Sequence, residues 1–140
     1  MQTLRWLLLV AVVGTGVHFA IQYVSGGTSV YSIESPVLPL IEELERSDPE
    51  LGKKARAGMN RFNKNCRLCH HPTGHGGKFT PSLLGHTEDS IKVMLNHYRD
   101  GQKVGPMTNL MAPWAKELSD EEIHILGIYI ELLQQAPSSK

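Results

Sequence analysis

Two cysteines and a histidine stand close together in the stretch Cys66-Arg67-Leu68-Cys69-His70 of this 140-residue chain. The pattern C-x-x-C-H is typical of covalent c-type haem attachment. On one helical turn, the two thiols can reach both vinyl groups at one edge of a haem, and the next side chain then points its imidazole at the iron. The spacing therefore predicts one covalently attached haem, with Cys66 and Cys69 as attachment residues and His70 as an iron ligand.

Three other interpretations of the two cysteines stay open from spacing alone. A thioredoxin-like dithiol uses the same C-x-x-C inside a β-α-β setting, and this chain shows no strand pattern. A zinc site could combine both cysteines with two of the histidines His70, His71 and His75. A simple disulfide is disfavoured by the short spacing. Two cysteines are too few for a multi-disulfide framework or a four-cysteine metal site, so haem attachment is the favoured interpretation.

Three stretches of apolar periodicity predict the helices that position this motif. The first helix runs into Cys66. The second begins at the N-cap Thr87 and ends at Gly101. The last begins with a capping box from Ser119 to Glu122. The apolar faces are, in chain order, Ala55, Gly58, Met59 and Phe62; Ile91, Met94, Leu95 and Tyr98; Ile123, Leu126, Gly127 and Ile130.

The segments between these helices, residues 70–86 and 102–117, are predicted to be loops because glycine and proline interrupt both. No stretch alternates convincingly between apolar and polar residues, so residues 51–136 are predicted to form an all-α domain, with a C-terminal tail at residues 137–140. Three short helices bury little apolar surface. We therefore expect the haem itself to fill the middle of the domain.

The N-terminal residues 1–24 contain a long apolar run. Arg5 is followed by nineteen residues without Asp, Glu, Lys or Arg, and about 20 residues span a bilayer core as a helix. We expect a single transmembrane anchor. The alternative is a cleaved signal peptide, which has a shorter apolar core and a small-residue cleavage site; the candidate sites at residues 24–26 are weak. Either way, Arg5 favours a cytoplasmic amino terminus, which places the haem domain in the periplasm, at the inner (cytoplasmic) membrane.

The next segment, residues 25–50, is predicted to be a tether that contains a short amphipathic stretch. Its first ten residues show no repeating pattern. Within residues 36–46, the apolar side chains of Leu40, Ile41 and Leu44 oppose several glutamates. This stretch could pack on the domain or lie near the membrane, and the sequence leaves both placements open.

The formal net charge of zero conceals an uneven distribution of charge. Zero net charge argues against a nucleic-acid partner, because that function needs a strong basic excess. Residues 51–86 nevertheless carry seven bases and no acid. These bases are Lys53, Lys54, Arg56, Arg61, Lys64, Arg67 and Lys78. We expect redox partners to dock at a basic face around Lys64, Arg67 and Lys78; the alternative is a solvated helix face.

Several motifs resemble the class I cytochromes c, and the resemblance covers residues 52–134. The pattern Gly58-x-x-x-Phe62-x-x-x-Cys66-x-x-Cys69-His70 is similar to the family's N-terminal helix and attachment site. The resemblance implies a fold of helices wrapped around one covalently bound haem c. It also implies that Gly58 and Phe62 pack against an aromatic residue of the last helix, here Tyr129.

Two further segments carry the resemblance to the iron ligands. The segment Thr80–Gly85 resembles the family's Pro-x-Leu-x-Gly segment, which implies that the carbonyl of Pro81 accepts the Nδ1–H of His70. The segment Met111–Ile123 resembles the sixth-ligand loop and the start of the last helix. There the axial methionine lies seven residues before the leucine that precedes the capping serine, as Met111 does. The resemblance thus implies His70 and Met111 as the two iron ligands.

Other side chains remain candidates for the second axial position. Met107 lies four residues before Met111 in the same predicted loop. A histidine ligand is a further alternative, and the candidates are His75, His86 and His97. His71 stands where many family members have glycine, and it lies too near the attachment motif to reach the opposite haem face.

An iron with both axial positions filled has no open site for a small substrate, and thioether ligation raises its reduction potential. We therefore expect a membrane-anchored monohaem cytochrome that carries single electrons between a protein donor and a protein acceptor, and no enzyme. The alternative is a haem c subunit fixed in a dehydrogenase or a respiratory or photosynthetic oxidoreductase complex. The segment Met111–Ile123 also resembles cytochrome subunits of flavocytochrome c sulfide dehydrogenases. A third possibility is a haem-based sensor, in which Met111 dissociates to admit a gas molecule.

Overall fold

The computed structural model describes residues 35–136, which contain six α-helices and no strand. In chain order, the helices are α1 (Leu38–Ser47), α2 (Pro49–Asn65), α3 (Arg67–His70), α4 (Glu88–Arg99), α5 (Thr108–Lys116) and α6 (Asp120–Leu133). The prediction of an all-α fold is confirmed for these residues. The predicted anchor (1–24), residues 25–34 of the tether and the tail (137–140) lie outside the described residues. Among the helices described, none has both the length and the apolar character needed to cross a bilayer.

Helices α2 and α6 cross at a glycine. A Cβ atom on Gly58 would overlap the carbonyl oxygen of Ile125 and lie 2.8 Å from the Cβ of Tyr129, so a residue without a side chain is needed at the crossing. The rings of Phe62 and Tyr129 pack beside it with centroids 5.2 Å apart and a tilt of 53°, a favourable aromatic geometry. The packing of Gly58 and Phe62 against Tyr129 is therefore confirmed.

Helix α6 forms the centre of the core, because most of its residues are buried against its neighbours. The predicted capping box is present at its start: the Ser119 hydroxyl accepts from the Glu122 N–H, and the Glu122 carboxylate accepts from the Ser119 N–H at 2.9 Å. Helix α4 packs against α6 and buries Ile91 and Leu95. The three helices predicted from apolar periodicity thus form one packed unit.

Helix α1 packs on the domain, one of the two placements that the sequence left open. Val37 and Ile41 are fully buried in the same core as Tyr129. The hydroxyl of Ser35 lies 2.8 Å from the buried hydroxyl of Tyr129, which satisfies a polar group that burial would otherwise leave without a partner. Arg56 of α2 holds α1 from the other end, since its Nη2 donates to the Glu45 carboxylate at 2.7 Å.

The predicted loop over residues 102–117 is wrong in its second half, because residues 108–116 form the helix α5. The prediction treated Pro113 as a helix breaker. A proline inside a helix removes one backbone hydrogen bond, and α5 tolerates this loss. Its start is fixed by Thr108, whose hydroxyl accepts from the backbone N–H groups of Val104 and Gly105, both at 3.0 Å. Its last turn is anchored by the fully buried Ala115.

The burial of α1 predicts that this helix contributes to the stability of the domain. Replacing Ile41 with Ala removes a fully buried side chain and leaves a cavity, so the free energy of unfolding should fall by about 2–5 kcal/mol. Denaturant unfolding of the haem-loaded protein, followed by far-UV circular dichroism, measures this change. The matched control is Val93→Ala on the exposed face of α4, which should change stability by less than about 0.5 kcal/mol. Equal effects of both substitutions would contradict the role of α1.

Candidate haem-attachment site

The two cysteines lie on one turn at the end of α2. The backbone N–H of Cys66 still donates to Phe62 in α2 at 2.8 Å, and the carbonyl of Cys66 accepts from the N–H groups of Cys69 and His70 at 3.2 and 2.9 Å. The chain therefore makes one tight helical turn between the two thiols. Both thiols are free; Cys66 is half-buried and Cys69 is exposed. This is the arrangement in which two thiols can meet one edge of a haem.

Burial sets the protonation of the first thiol. Desolvation raises the pKa of Cys66 to about 11, although the positive charge of Arg61 opposes the rise. At neutral pH the Cys66 thiol is therefore protonated, the form that keeps an unreacted cysteine inert.

His70 is held in the tautomer that an iron ligand needs. Its side chain is buried, with an exposed fraction of 8%, and desolvation lowers the pKa of His70 although a hydrogen bond to the backbone of Pro81 opposes the shift. The imidazole is therefore neutral at pH 7. Its Nδ1–H donates to the carbonyl oxygen of Pro81 at 3.1 Å, which leaves the lone pair of Nε2 available to a metal. The structure thus brings His70 and Pro81 together in the way the resemblance implied.

The loop after His70 is folded back by Gly76, a residue that the sequence analysis did not single out. The N–H of Gly76 donates to the carbonyl of His70 at 3.0 Å, and a Cβ on Gly76 would overlap the carbonyl oxygens of Thr80 and Pro81. Gly76 also has a positive φ of 74°. A side chain here would push the Pro81 carbonyl away from His70. The glycine-rich composition of this loop was the only available signal of that role.

His71 adopts a backbone conformation that favours glycine. Its φ is 67° and its ψ is 149°, a region that costs a non-glycine residue on the order of 1–3 kcal/mol. This is the position where many class I cytochromes c have glycine. The Nδ1 atoms of His71 and His75 both contact the hydroxyl of Thr73, at 2.8 and 2.7 Å. These hydrogen bonds stabilise the turn that carries the loop away from the attachment motif.

Met111 lies on α5, one helical turn after Met107. Met111 is half-buried and packs against the core, together with Leu83, Leu84 and Met94. Met107 is more exposed and lies outside that cluster. Of the alternative histidines, His75 and His97 are exposed and His86 is half-buried. The choice of Met111 as the second iron ligand stays a prediction.

The donor set of these residues fits a covalently bound haem. It offers two thiols on one turn, a neutral imidazole whose Nδ1 is the hydrogen-bonded nitrogen, and a half-buried thioether packed against the core. By contrast, no three His, Cys, Asp or Glu side chains within residues 35–136 converge on a point where they could hold a metal ion.

Comparison with known proteins agrees with this chemistry. Residues 53–130 match the protein family described as cytochrome c oxidase, cbb3-type, subunit III. Cytochrome c-554(547) of Halothiobacillus neapolitanus is 32% identical over 88 residues, which cover 57% of this chain and 97% of that protein. Cytochrome c-554(548) of Halomonas halodenitrificans is 36% identical over 76 residues, or 54% of this chain and 90% of that protein.

A third relative is matched over about half of its own length. The thiosulfate dehydrogenase electron acceptor of Stutzerimonas stutzeri is 28% identical over 103 residues, which cover 70% of this chain and 48% of that protein.

The assignment of Met111 as axial ligand predicts a spectroscopic change on substitution. Met111→Ala should abolish the weak deep-red band of methionine-to-iron ligation in the oxidised protein and lower the reduction potential, because thioether ligation raises it. Met107→Ala is the matched control and should leave the band in place. Loss of the band in Met107→Ala alone would transfer the assignment to Met107, and its absence from the unsubstituted protein at neutral pH would favour a histidine ligand.

Proposed function

This chain belongs to the cytochrome c family described as cytochrome c oxidase, cbb3-type, subunit III, and on that premise we propose that it is a membrane-anchored electron carrier. It binds one haem c covalently and takes part in electron transfer, as its relatives named cytochrome c indicate. We propose further that the haem domain lies in the periplasm, anchored by residues 1–24, and exchanges single electrons with a protein donor and a protein acceptor.

The side chains around the site favour electron transfer over the binding of substrates. When bound, the haem supplies an iron that accepts and returns one electron. His70 donates from Nδ1 to Pro81 at 3.1 Å, so the ring orientation is fixed and Nε2 becomes a stronger ligand. Met111, which is half-buried and packs against the core, would supply the second ligand to the iron. With His70 and Met111 both holding the iron, the haem would offer no open site to a small molecule.

The proposed docking face rests on which basic residues have carboxylate partners. Within residues 35–136, Arg56 pairs with Glu45, and Arg61 pairs with Glu122. The bases nearest the attachment turn differ: among the described residues, no carboxylate lies within ion-pair distance of Lys64, Arg67 or Lys78. These three charges therefore act on the solvent and on an approaching partner.

Exposed apolar side chains lie among these three bases. Leu68, between the two cysteines, is 93% exposed, and Phe79 is 71% exposed. The Nζ of Lys78 lies 5.2 Å from the centre of the Phe79 ring. Apolar contacts surrounded by charges are typical of a transient protein interface. We propose that an acidic redox partner covers Leu68 and Phe79 and pairs its carboxylates with the surrounding bases.

The anchor is supported by the apolar run of residues 6–24. Residues 35–50 of the expected tether belong to the folded domain, through α1 and the start of α2, which leaves residues 25–34 to connect anchor and domain. A short connection holds the domain near the membrane surface and raises its effective concentration towards partners in the same membrane.

A second candidate function is that of a haem subunit fixed in a larger oxidoreductase. Two observations favour it: the matching family is described as an oxidase subunit, and one relative is named as the electron acceptor of a thiosulfate dehydrogenase. In that case the basic face would be a permanent interface.

The anchored-carrier proposal predicts the behaviour of the full chain on cell fractionation. The protein should sediment with membranes, stay there in high salt and be released by detergent, because an apolar helix resists salt and a peripheral charge contact does not. Its intact mass should include residues 1–24 and one haem. A soluble product that begins near residue 25 would contradict the anchor, and co-purification with partner chains in fixed stoichiometry would favour the subunit.

The docking face predicts a charge-selective rate of electron exchange with small reagents. Lys64→Gln should slow oxidation of the reduced protein by the anion ferricyanide roughly 2–5-fold at low ionic strength. The same substitution should speed oxidation by the cation tris(phenanthroline)cobalt(III). Lys53→Gln is the matched control, since this exposed lysine lies on the same helix, about 16 Å from Lys64 along the axis. Equal effects at both positions would contradict a localised basic face.

A further inference from the structure

Arg61 is a cation enclosed between the attachment turn and the last helix. Its side chain is only 17% exposed, and its Nε lies 2.9 Å from Oε1 of Glu122 at the start of α6. Its Nη1 donates to the side chain of Asn65 at 2.6 Å. Asn65 directly precedes Cys66, so the guanidinium is held by the residue next to the first attachment cysteine.

The charge of Arg61 is poorly exposed to the solvent that would weaken it. Its side chain is only 17% exposed, so solvent screens the guanidinium charge less than it screens a surface charge.

The carboxylate of Glu122 contacts two partners, and Arg61 is only one of them. Its Oε2 accepts from the Ser119 N–H at 2.9 Å, as part of the capping box of α6. The Nε of Arg61 is buried and makes no aligned hydrogen bond within the described residues. The contact is therefore an attraction of charges without a shared proton, and the positive charge of Arg61 is only partly compensated.

We propose that Arg61 sets the reduction potential of the haem attached at Cys66, and that Glu122 moderates its effect. A positive charge beside the site stabilises the reduced state, which carries one positive charge fewer than the oxidised state, and so raises the potential. Arg61 is a positioning residue in this role: it touches neither axial ligand and acts through its fixed charge. The inference rests on haem attachment and electron transfer, and it is independent of the anchor and the docking face.

The test compares midpoint potentials of the full haem-loaded chain in equilibrium redox titrations. Arg61→Met removes the charge and should lower the midpoint potential, whereas Glu122→Gln leaves Arg61 uncompensated and should raise it. The matched control is Arg56→Met, which breaks a similar ion pair on the same helix, about 7.5 Å further from the cysteines. It should shift the potential less than Arg61→Met. The shift in Arg61→Met should also persist at high ionic strength, because the pair is enclosed.

Several outcomes would overturn the inference. Equal shifts in Arg61→Met and Arg56→Met would mean that net charge alone matters, and shifts of the same sign in Arg61→Met and Glu122→Gln would mean that the ion pair acts through structure. Loss of the methionine-to-iron band in Arg61→Met would point to a displaced ligand.

If Arg61→Met fails to fold, Arg61→Lys keeps the charge and should retain the potential, and Glu122→Gln still tests the sign. Failure of the unsubstituted chain to titrate reversibly would instead count against electron transfer itself.

Discussion

The close approach of α2 and α6 at Gly58 is the constraint on which the rest of the domain depends. Because Gly58 has no side chain, the carbonyl of Ile125 lies directly against α2, and this contact fixes the two helices relative to each other. Tyr129 can then stack on Phe62 on one side of the crossing, and Arg61 can reach Glu122 on another. The attachment turn lies at the end of α2, so this helix pair also fixes the position of the turn. A bulkier residue at the crossing would displace all of these contacts together.

Contacts of α2 with other helices also determine which of its basic residues have a carboxylate partner. The bases of residues 51–86 have no acidic neighbour in sequence, yet the fold brings Glu45 of α1 to Arg56 and Glu122 of α6 to Arg61. Glu45 pairs with Arg56 and Glu122 partly compensates Arg61, whereas within residues 35–136 no carboxylate lies within ion-pair distance of Lys64, Arg67 or Lys78. A chain with zero net charge therefore carries a local positive field at the turn where the haem is attached. In the roles proposed above, the partly compensated charge of Arg61 acts on the redox site, and the bases without a carboxylate partner act on redox partners.

The backbone conformation of the loop after His70 orients the imidazole of this iron ligand. The hydrogen bond from His70 to Pro81 spans eleven residues, and it forms because Gly76 lets the chain fold back without a clash. His71 takes up a conformation that suits glycine better, and its contact with Thr73 offsets part of that cost. The tautomer of His70 is thus set by a backbone turn, and the chemistry of one side chain depends on the conformation of the eleven residues that follow it.

Local patterns in the sequence determined the chemistry of this protein. The C-x-x-C-H motif identified the cofactor, the capping box and the N-cap Thr87 marked helix starts, and the apolar faces gave an all-α domain, because each of these signals depends on residues within a few positions of one another. Other features of the protein depend on contacts between residues that are far apart in the sequence, so only the tertiary structure decided them. It placed α1 on the domain through Ser35 and Tyr129, 94 positions apart. It made a helix of residues 108–116 in spite of Pro113, and the burial of Ala115 in that helix depends on contacts that the local sequence does not contain. It also selected which arginines have carboxylate partners, because a charge count along the chain contains no distances in space.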